Sequence, residues 1–195
     1  MVHIVNKTKS YFTICETASN LFHKFGIKKV SVEELCEEAG VSKMTFYRIF
    51  KNKDELVHHI VLEDFTQGLN KNKELLDSDL AFPDKIKAAI HLKKELSSQY
   101  SKEFMFDLLN SKDQELINMM QEFGIKGRVI FREFLEENQT NGNIRKSLNI
   151  DFLIYFLGQI QEMVPSEDVI NLFDSVEAYS EHMINLLFYG IFSDQ

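Results

Sequence analysis

The chain has few of the residues that break or staple a fold: two cysteines and two prolines in 195 residues. Cys15 and Cys36 make no metal-ligand spacing and fall on apolar helix faces, which favours buried reduced thiols over a disulfide, with a redox role as the lesser alternative. Each proline precedes a helix-like segment, Pro83 before Asp84, Lys85 and Ile86, and Pro165 before Ser166, Glu167 and Asp168. No strand-turn-strand alternation is present, so the expected fold class is all-α. No apolar run approaches the ~18 residues of a membrane span, and MVHIVNKTKSYF lacks the apolar stretch of a signal peptide, so a cytoplasmic location without membrane contact is expected. A glycine-rich phosphate loop, a nucleophile elbow and a Cys-x-x-Cys pair are missing too. A di-iron carboxylate bundle needs two Glu-x-x-His pairs, and only Glu55 to His58 has that spacing. His58, His59 and Glu63 lie along one predicted helix and read as solvated side chains in preference to metal ligands. No catalytic residues, no cofactor and no metal are therefore expected.

What is present is a short run with a grammar of its own, SVEELCEEAGVSKMTFYRIFKNK from Ser31 to Lys53. Ser31 is an N-cap with Glu34 at the reciprocal position, and Val32, Leu35, Cys36 and Ala39 follow at helical spacing. Gly40 can close that helix in the left-handed conformation, Val41 can fill the space between two helices, and Ser42 caps the next one. In the second helix Phe46, Ile49 and Phe50 share one side, while Met44, Tyr47, Arg48 and Lys51 point the other way, flanked by Lys43 and Thr45. The outward side suits DNA, with cations for phosphates or guanine edges, hydroxyls for phosphate oxygens and Met44 for a thymine methyl or a sugar.

From Ala18 to about Val61 the sequence resembles the DNA-binding domain of the TetR family of bacterial transcriptional regulators. The matching positions are Ala18, Leu21 with Phe22, Gly26, Ser31, Ala39-Gly40-Val41-Ser42, Thr45, Tyr47, Phe50 and Lys53. Ile49 stands where many members carry histidine, and Cys36 where alanine is usual. The resemblance implies phosphate contacts for Thr45, Tyr47 and Lys53. It also implies a homodimer in which the last two helices pair into a four-helix bundle, and an effector pocket enclosed by the helices after the reading head.

The net charge of -8 conceals an asymmetry. Residues 1 to 60 hold nine Lys or Arg against seven Asp or Glu, and the remainder thirteen against twenty-three, so nucleic-acid contact is confined to the N-terminal part. Two domains are expected, residues 1–52 as a three-helix DNA-binding head and 53–195 as a helical effector-binding and dimerisation domain. Helix one should run from about Lys9 to Phe25 with Phe12, Cys15, Ala18, Leu21, Phe22 and Phe25 buried. Asn52 caps the next long helix, with Glu55 at the capping-box position; residues 70–82 read as a helix end and loop; and 84–99, 102–110, 112–139, 149–163 and 167–192 read as helices. Ser111, with Gln114 after it, reads as the cap of the third of these. Asn141-Gly142-Asn143 is a turn.

Base reading is assigned to Lys43 and Met44, with Arg48 open between base and backbone. Phosphate contact is assigned to Ser31, Thr45, Tyr47 and Lys53, and the remaining members of the surface are Ser42 and Lys51. Lys7 and Lys9 form either a DNA-contacting arm or a solvated terminus. A dimer would set two reading helices about 34–36 Å apart on a near-palindromic operator. The last two helices are apolar on more than one side, and Phe152, Phe156, Tyr179, Met183, Leu186 and Leu187 are the expected dimer contacts; a monomer with a thicker core is the alternative. Phe104, Met105, Leu108, Met119, Met120, Phe123, Phe131 and Tyr155 line either a pocket for a small apolar or amphipathic effector or an ordinary core, with Arg128, Arg132 or His91 available to an anionic group. The expected function is a ligand-responsive repressor; the alternative is a co-activator or other regulator of this architecture acting through a protein partner.

Overall fold

The computed structural model describes residues 8–162 and, beyond them, Leu172, Phe173, Ala178, His182 and Leu186. The described residues form helices α1 (Lys9–Phe25), α2 (Val32–Glu38), α3 (Lys43–Ile49), α4 (Lys53–Leu76), α5 (Phe82–Ser98), α6 (Lys102–Leu109), α7 (Gln114–Thr140) and α8 (Ile150–Glu162), and contain no strand. The fold is all-α. The expected helix over 167–192, Pro165 and Ser166, and Lys7 lie outside the described residues, apart from the five positions named. The chain divides into two compact units, Met1–Lys71 with Glu95–Phe123, and Asn72–Lys94 with Gly124–Gln195.

The first unit is built on the α1 stripe. Thr8 caps α1 by accepting the Tyr11 amide, and Tyr11, Ile14, Cys15, Ala18 and Phe22 turn inward. Phe12, expected inside, is 56% exposed; Tyr11 takes the inner position because its ring stacks on Phe50 and its hydroxyl meets His59 Nε2 at 2.6 Å. These residues pack with Leu35 and Cys36 of α2, Phe46 of α3, Leu56, Val57, Ile60 and Val61 of α4, Phe104 and Leu108 of α6, and Leu116 of α7. Full burial of side chains of this kind contributes about 1.5–3 kcal/mol each. Both cysteines are buried and neither is in a disulfide, and burial pushes the Cys36 thiol above its usual pKa.

Helix α4 begins as its cap predicts, with the Glu55 amide donating to Asn52 Oδ1 at 2.8 Å. It runs on to Leu76 and is followed by a short loop, the helix end and loop expected within 70–82; Lys73 and Asp77 pair at 3.0 Å one turn apart, and Leu76 is buried. Helix α5 accordingly starts at Phe82, with Pro83 in its first turn where the missing amide costs nothing. At the start of α7 the cap is Asp113 in place of Ser111. Its Oδ1 accepts the Glu115 and Leu116 amides at 2.9 and 3.2 Å, while Ser111 Oγ accepts only the Asp113 amide.

The second unit has its own core of Leu76, Phe82, Ile86, Phe134, Leu135, Ile144, Ile150 and Leu153. Phe82 stacks on Phe134 with ring centres 5.6 Å apart. Buried Asn138 donates to the Phe134 carbonyl at 2.8 Å and accepts from Asn143 at 2.9 Å, which fixes the expected turn at Gly142, whose φ is 83°.

Candidate nucleic-acid interface

The surface is raised by local capping before any long-range packing acts. Ser31 Oγ accepts the Glu34 amide at 3.1 Å and the Glu34 carboxylate reaches back to the Ser31 amide, a complete capping box. Gly40 at φ 62° turns the chain, and Ser42 Oγ accepts the Thr45 amide at 3.0 Å to start α3. The core side of α3 is then set by Phe46 and Phe50, both buried, so the opposite side must face water.

On that side Met44 is 82% exposed and Tyr47 55%, with the Tyr47 ring edge-on to Phe46 at 5.2 Å. Large apolar groups so exposed beside cations suit a partner of mixed apolar and anionic character. Arg48 and Lys51 are exposed and have no ion-pair partner among the described residues. Thr45 is half-buried, its hydroxyl 3.0 Å from Ser42 Oγ. Lys43 Nζ sits 2.9 Å from Glu33 Oε1, and this contact holds its ammonium pKa above the usual value.

Lys53, expected at a phosphate, has its ammonium already engaged within the protein. Its ammonium turns back and donates to the carbonyls of Ile27 and Val30, and it lies 5.8 Å from the centre of the Phe22 ring. Burial pushes its pKa down.

Three side-chain clamps in this unit went unread in the sequence. His23 Nε2 meets Asp64 Oδ2 at 2.7 Å, His58 Nε2 meets Asp113 Oδ2 at 2.6 Å, and the Lys28 amide donates to Asp107 Oδ2 at 2.8 Å. His58 and His59 point to different partners, Asp113 for the first and Tyr11 with Glu63 for the second. Each clamp joins residues 41 to 79 positions apart, so no local pattern announces it.

The eight candidate effector residues are divided between the two units. Phe104 and Leu108 are core of the first unit, Phe104 against His23 and Tyr100; Met119 and Met120 pack on that core; Phe123 meets Phe65 at 5.4 Å; and Met105 is exposed. Phe131 and Tyr155 belong to the second unit, the former against Phe134 and the latter 63% exposed. Arg132 is engaged by Asp151 at 2.6 Å and by Glu136, while Arg128 and His91 are exposed. A cleft in the first unit is lined by Phe25, Lys28, Lys29, Lys102, Glu103, Phe106 and Asp107, none of them among the eight. Of the dimer candidates, Phe152, Phe156 and Leu186 are exposed, and Tyr179, Met183 and Leu187 lie outside the described residues.

Comparison with known proteins places this surface. Residues 14–60, spanning α2, α3 and the adjoining parts of α1 and α4, match the family described as "Bacterial regulatory proteins, tetR family". An uncharacterized HTH-type transcriptional regulator of Bacillus subtilis, YhgD, is 31% identical over 77 residues, 40% of this chain and 40% of that protein. An HTH-type transcriptional regulator of Staphylococcus aureus is 29% identical over 62 residues, 32% of this chain and 34% of that one, so the match spans well under half of these curated relatives. The fold extends further. A transcriptional regulator from Cytophaga hutchinsonii superposes with a TM-score of 0.73 at 14% identity, covering 95% of this chain and 100% of the other. FadR from Bacillus subtilis, in complex with stearoyl-CoA, does so at 0.67 and 22%, covering 93% and 99%. With its helix-turn-helix built and exposed as described, residues 14–60 match the tetR family of bacterial regulatory proteins, and the chain as a whole is similar in fold to transcriptional regulators.

Proposed function

We propose that the protein is a ligand-responsive repressor that binds a near-palindromic operator as a homodimer. The observation that carries the DNA half of this reading is the outer side of α3, where Met44, Tyr47 and Arg48 stand exposed on a helix whose inner side is locked by Phe46. Lys43 and Met44 read bases, Arg48 reads either a base or the backbone, and Ser31, Thr45 and Tyr47 take phosphates, with Ser42 and Lys51 completing the surface. Residues 1–52 act as the reading head and 53–195 as the sensing and pairing part.

Dimerisation is supported by α8. Phe152 and Tyr155 are 61% and 63% exposed, and Phe152 stacks on Phe156 at 6.1 Å, an aromatic stripe that a partner helix would cover. For the effector, the FadR likeness supports an amphipathic ligand with a long apolar tail, consistent with the aromatic and Met content of α6 and α7. Such a ligand acts by preferring the conformer whose two heads mismatch the operator. Titrating long-chain acyl-CoA against the protein–operator complex tests this: release of DNA with a matching rise in Tm supports it. Retention of DNA and an unchanged Tm across chain lengths would point to regulation through a protein partner.

A further inference from the structure

Lys53 is the first residue of α4, yet its side chain serves the segment between α1 and α2. Its Nζ donates to the carbonyls of Ile27 and Val30, on either side of Lys28 and Lys29. The same segment is held from other directions. Gly26 ends α1 with φ 88°, the Lys28 amide donates to Asp107 at 2.8 Å, and Val30 is buried in the core. Ser31, next in the chain, is the cap of α2. An ammonium has three protons to donate, and two are directed inward, over an aromatic ring that also attracts the cation.

A lysine so placed gains little by leaving. Moving Nζ to a phosphate would break two charge-assisted hydrogen bonds in a partly desolvated site and replace them with one contact screened by salt.

We propose that Lys53 is a positioning residue for operator binding: by clamping the Ile27 and Val30 carbonyls it fixes Ser31 and α2, and through them the attitude of α3, without itself meeting a phosphate. This rests on the DNA-binding reading above. The lysine's effect on affinity is then carried by geometry, and its charge contributes nothing to counterion release.

The two roles separate in a salt titration. Each phosphate neutralised contributes about 0.9 to the slope of log K against log salt. Operator affinity of the full chain would be measured by fluorescence anisotropy at several salt concentrations for wild type, Lys53→Met, Lys53→Arg and Lys51→Met. Positioning predicts that Lys53→Met binds about tenfold more weakly with an unchanged slope, and that amide exchange of Lys28 to Leu35 accelerates. Lys53→Arg, which keeps the charge but brings a longer planar fork, also binds more weakly at unchanged slope. Lys51→Met is the contrasting case, with a slope lower by about 0.9. Should Lys53→Met lower the slope by that amount while Lys53→Arg retains full affinity, Lys53 is a phosphate contact and the proposal is overturned. It is equally overturned if both variants lower Tm and leave affinity intact. Absence of wild-type binding to any DNA would defeat the DNA reading itself, and Lys53's role in it.

Discussion

Lys43, the first residue of the reading helix, is paired with Glu33 of the preceding helix at 2.9 Å. The pair ties α3 to α2 on the solvent side and places a carboxylate beside a cation proposed to read bases. Glu33→Gln removes the competing anion, so operator affinity should rise roughly two- to fivefold, the span of an exposed ion pair. The gain should be larger at low salt than at high salt. Anisotropy titrations at two ionic strengths check this; weaker binding by the variant would mean that Glu33 orients Lys43 and does not compete for it.

Tyr47 offers a ring and a hydroxyl on the exposed side of α3. Because the ring leans on Phe46 from outside the core, Tyr47→Ala should leave Tm nearly unchanged and weaken operator binding about tenfold. Tyr47→Phe isolates the hydroxyl and should lose most of that factor if the phenol oxygen meets a phosphate. A gel-shift titration beside a melting curve separates the outcomes.

Two glycines with positive φ predict unequal costs. A Cβ at Gly40, φ 62°, meets nothing within 4 Å, so alanine there costs only backbone strain, about 1 kcal/mol. At Gly26, φ 88°, a Cβ would come within 3.0 Å of both Asp107 Oδ2 and Glu103 Cβ. Gly26→Ala should therefore cost about 1–3 kcal/mol from strain and more from the clash. Urea denaturation of the two variants gives the order directly.

Burial pushes the Asp113 carboxyl up, but hydrogen bonds from His58 and from the Leu116 and Glu115 amides outweigh it, and the net pKa lies below the usual 3.8. A carboxylate depressed in the folded state stabilises fully above its unfolded pKa and loses that stabilisation as pH falls through the folded value. Asp113→Asn keeps an N-cap oxygen and removes the charge, so its Tm should lie a few degrees below wild type at pH 5, with the gap closing as pH drops below about 3.8. A constant gap down to pH 2.5 would show that the charge contributes nothing.

The reading head was legible because its signals are local. Ser31 with Glu34, Gly40, Ser42 with Thr45, and the Phe46–Phe50 spacing each act within four residues, and the structure shows each of them formed. What the local pattern leaves open depends on distant partners. Phe12 and Tyr11 compete for one inner position, and the outcome is set by His59 and Phe50, some 40 to 50 residues away. Lys53 reads as a surface cation until the Ile27 and Val30 carbonyls are brought beside it. Ser111 looked the better cap because the His58 that engages Asp113 is invisible from that stretch of sequence. The candidate effector residues show the same limit, since apolar periodicity marks an inner side without saying whether it faces a cavity or a neighbour.

In the proposed function, two copies of this cationic surface engage one duplex. Selecting DNA from a random pool with the purified full-length chain and sequencing the bound fraction tests it most directly. The expected result is enrichment of a two-fold symmetric motif with half-sites about one helical turn apart, abolished by Arg48→Ala with Tyr47→Ala. A pool that stays unenriched at moderate salt, or a motif without symmetry, would contradict it.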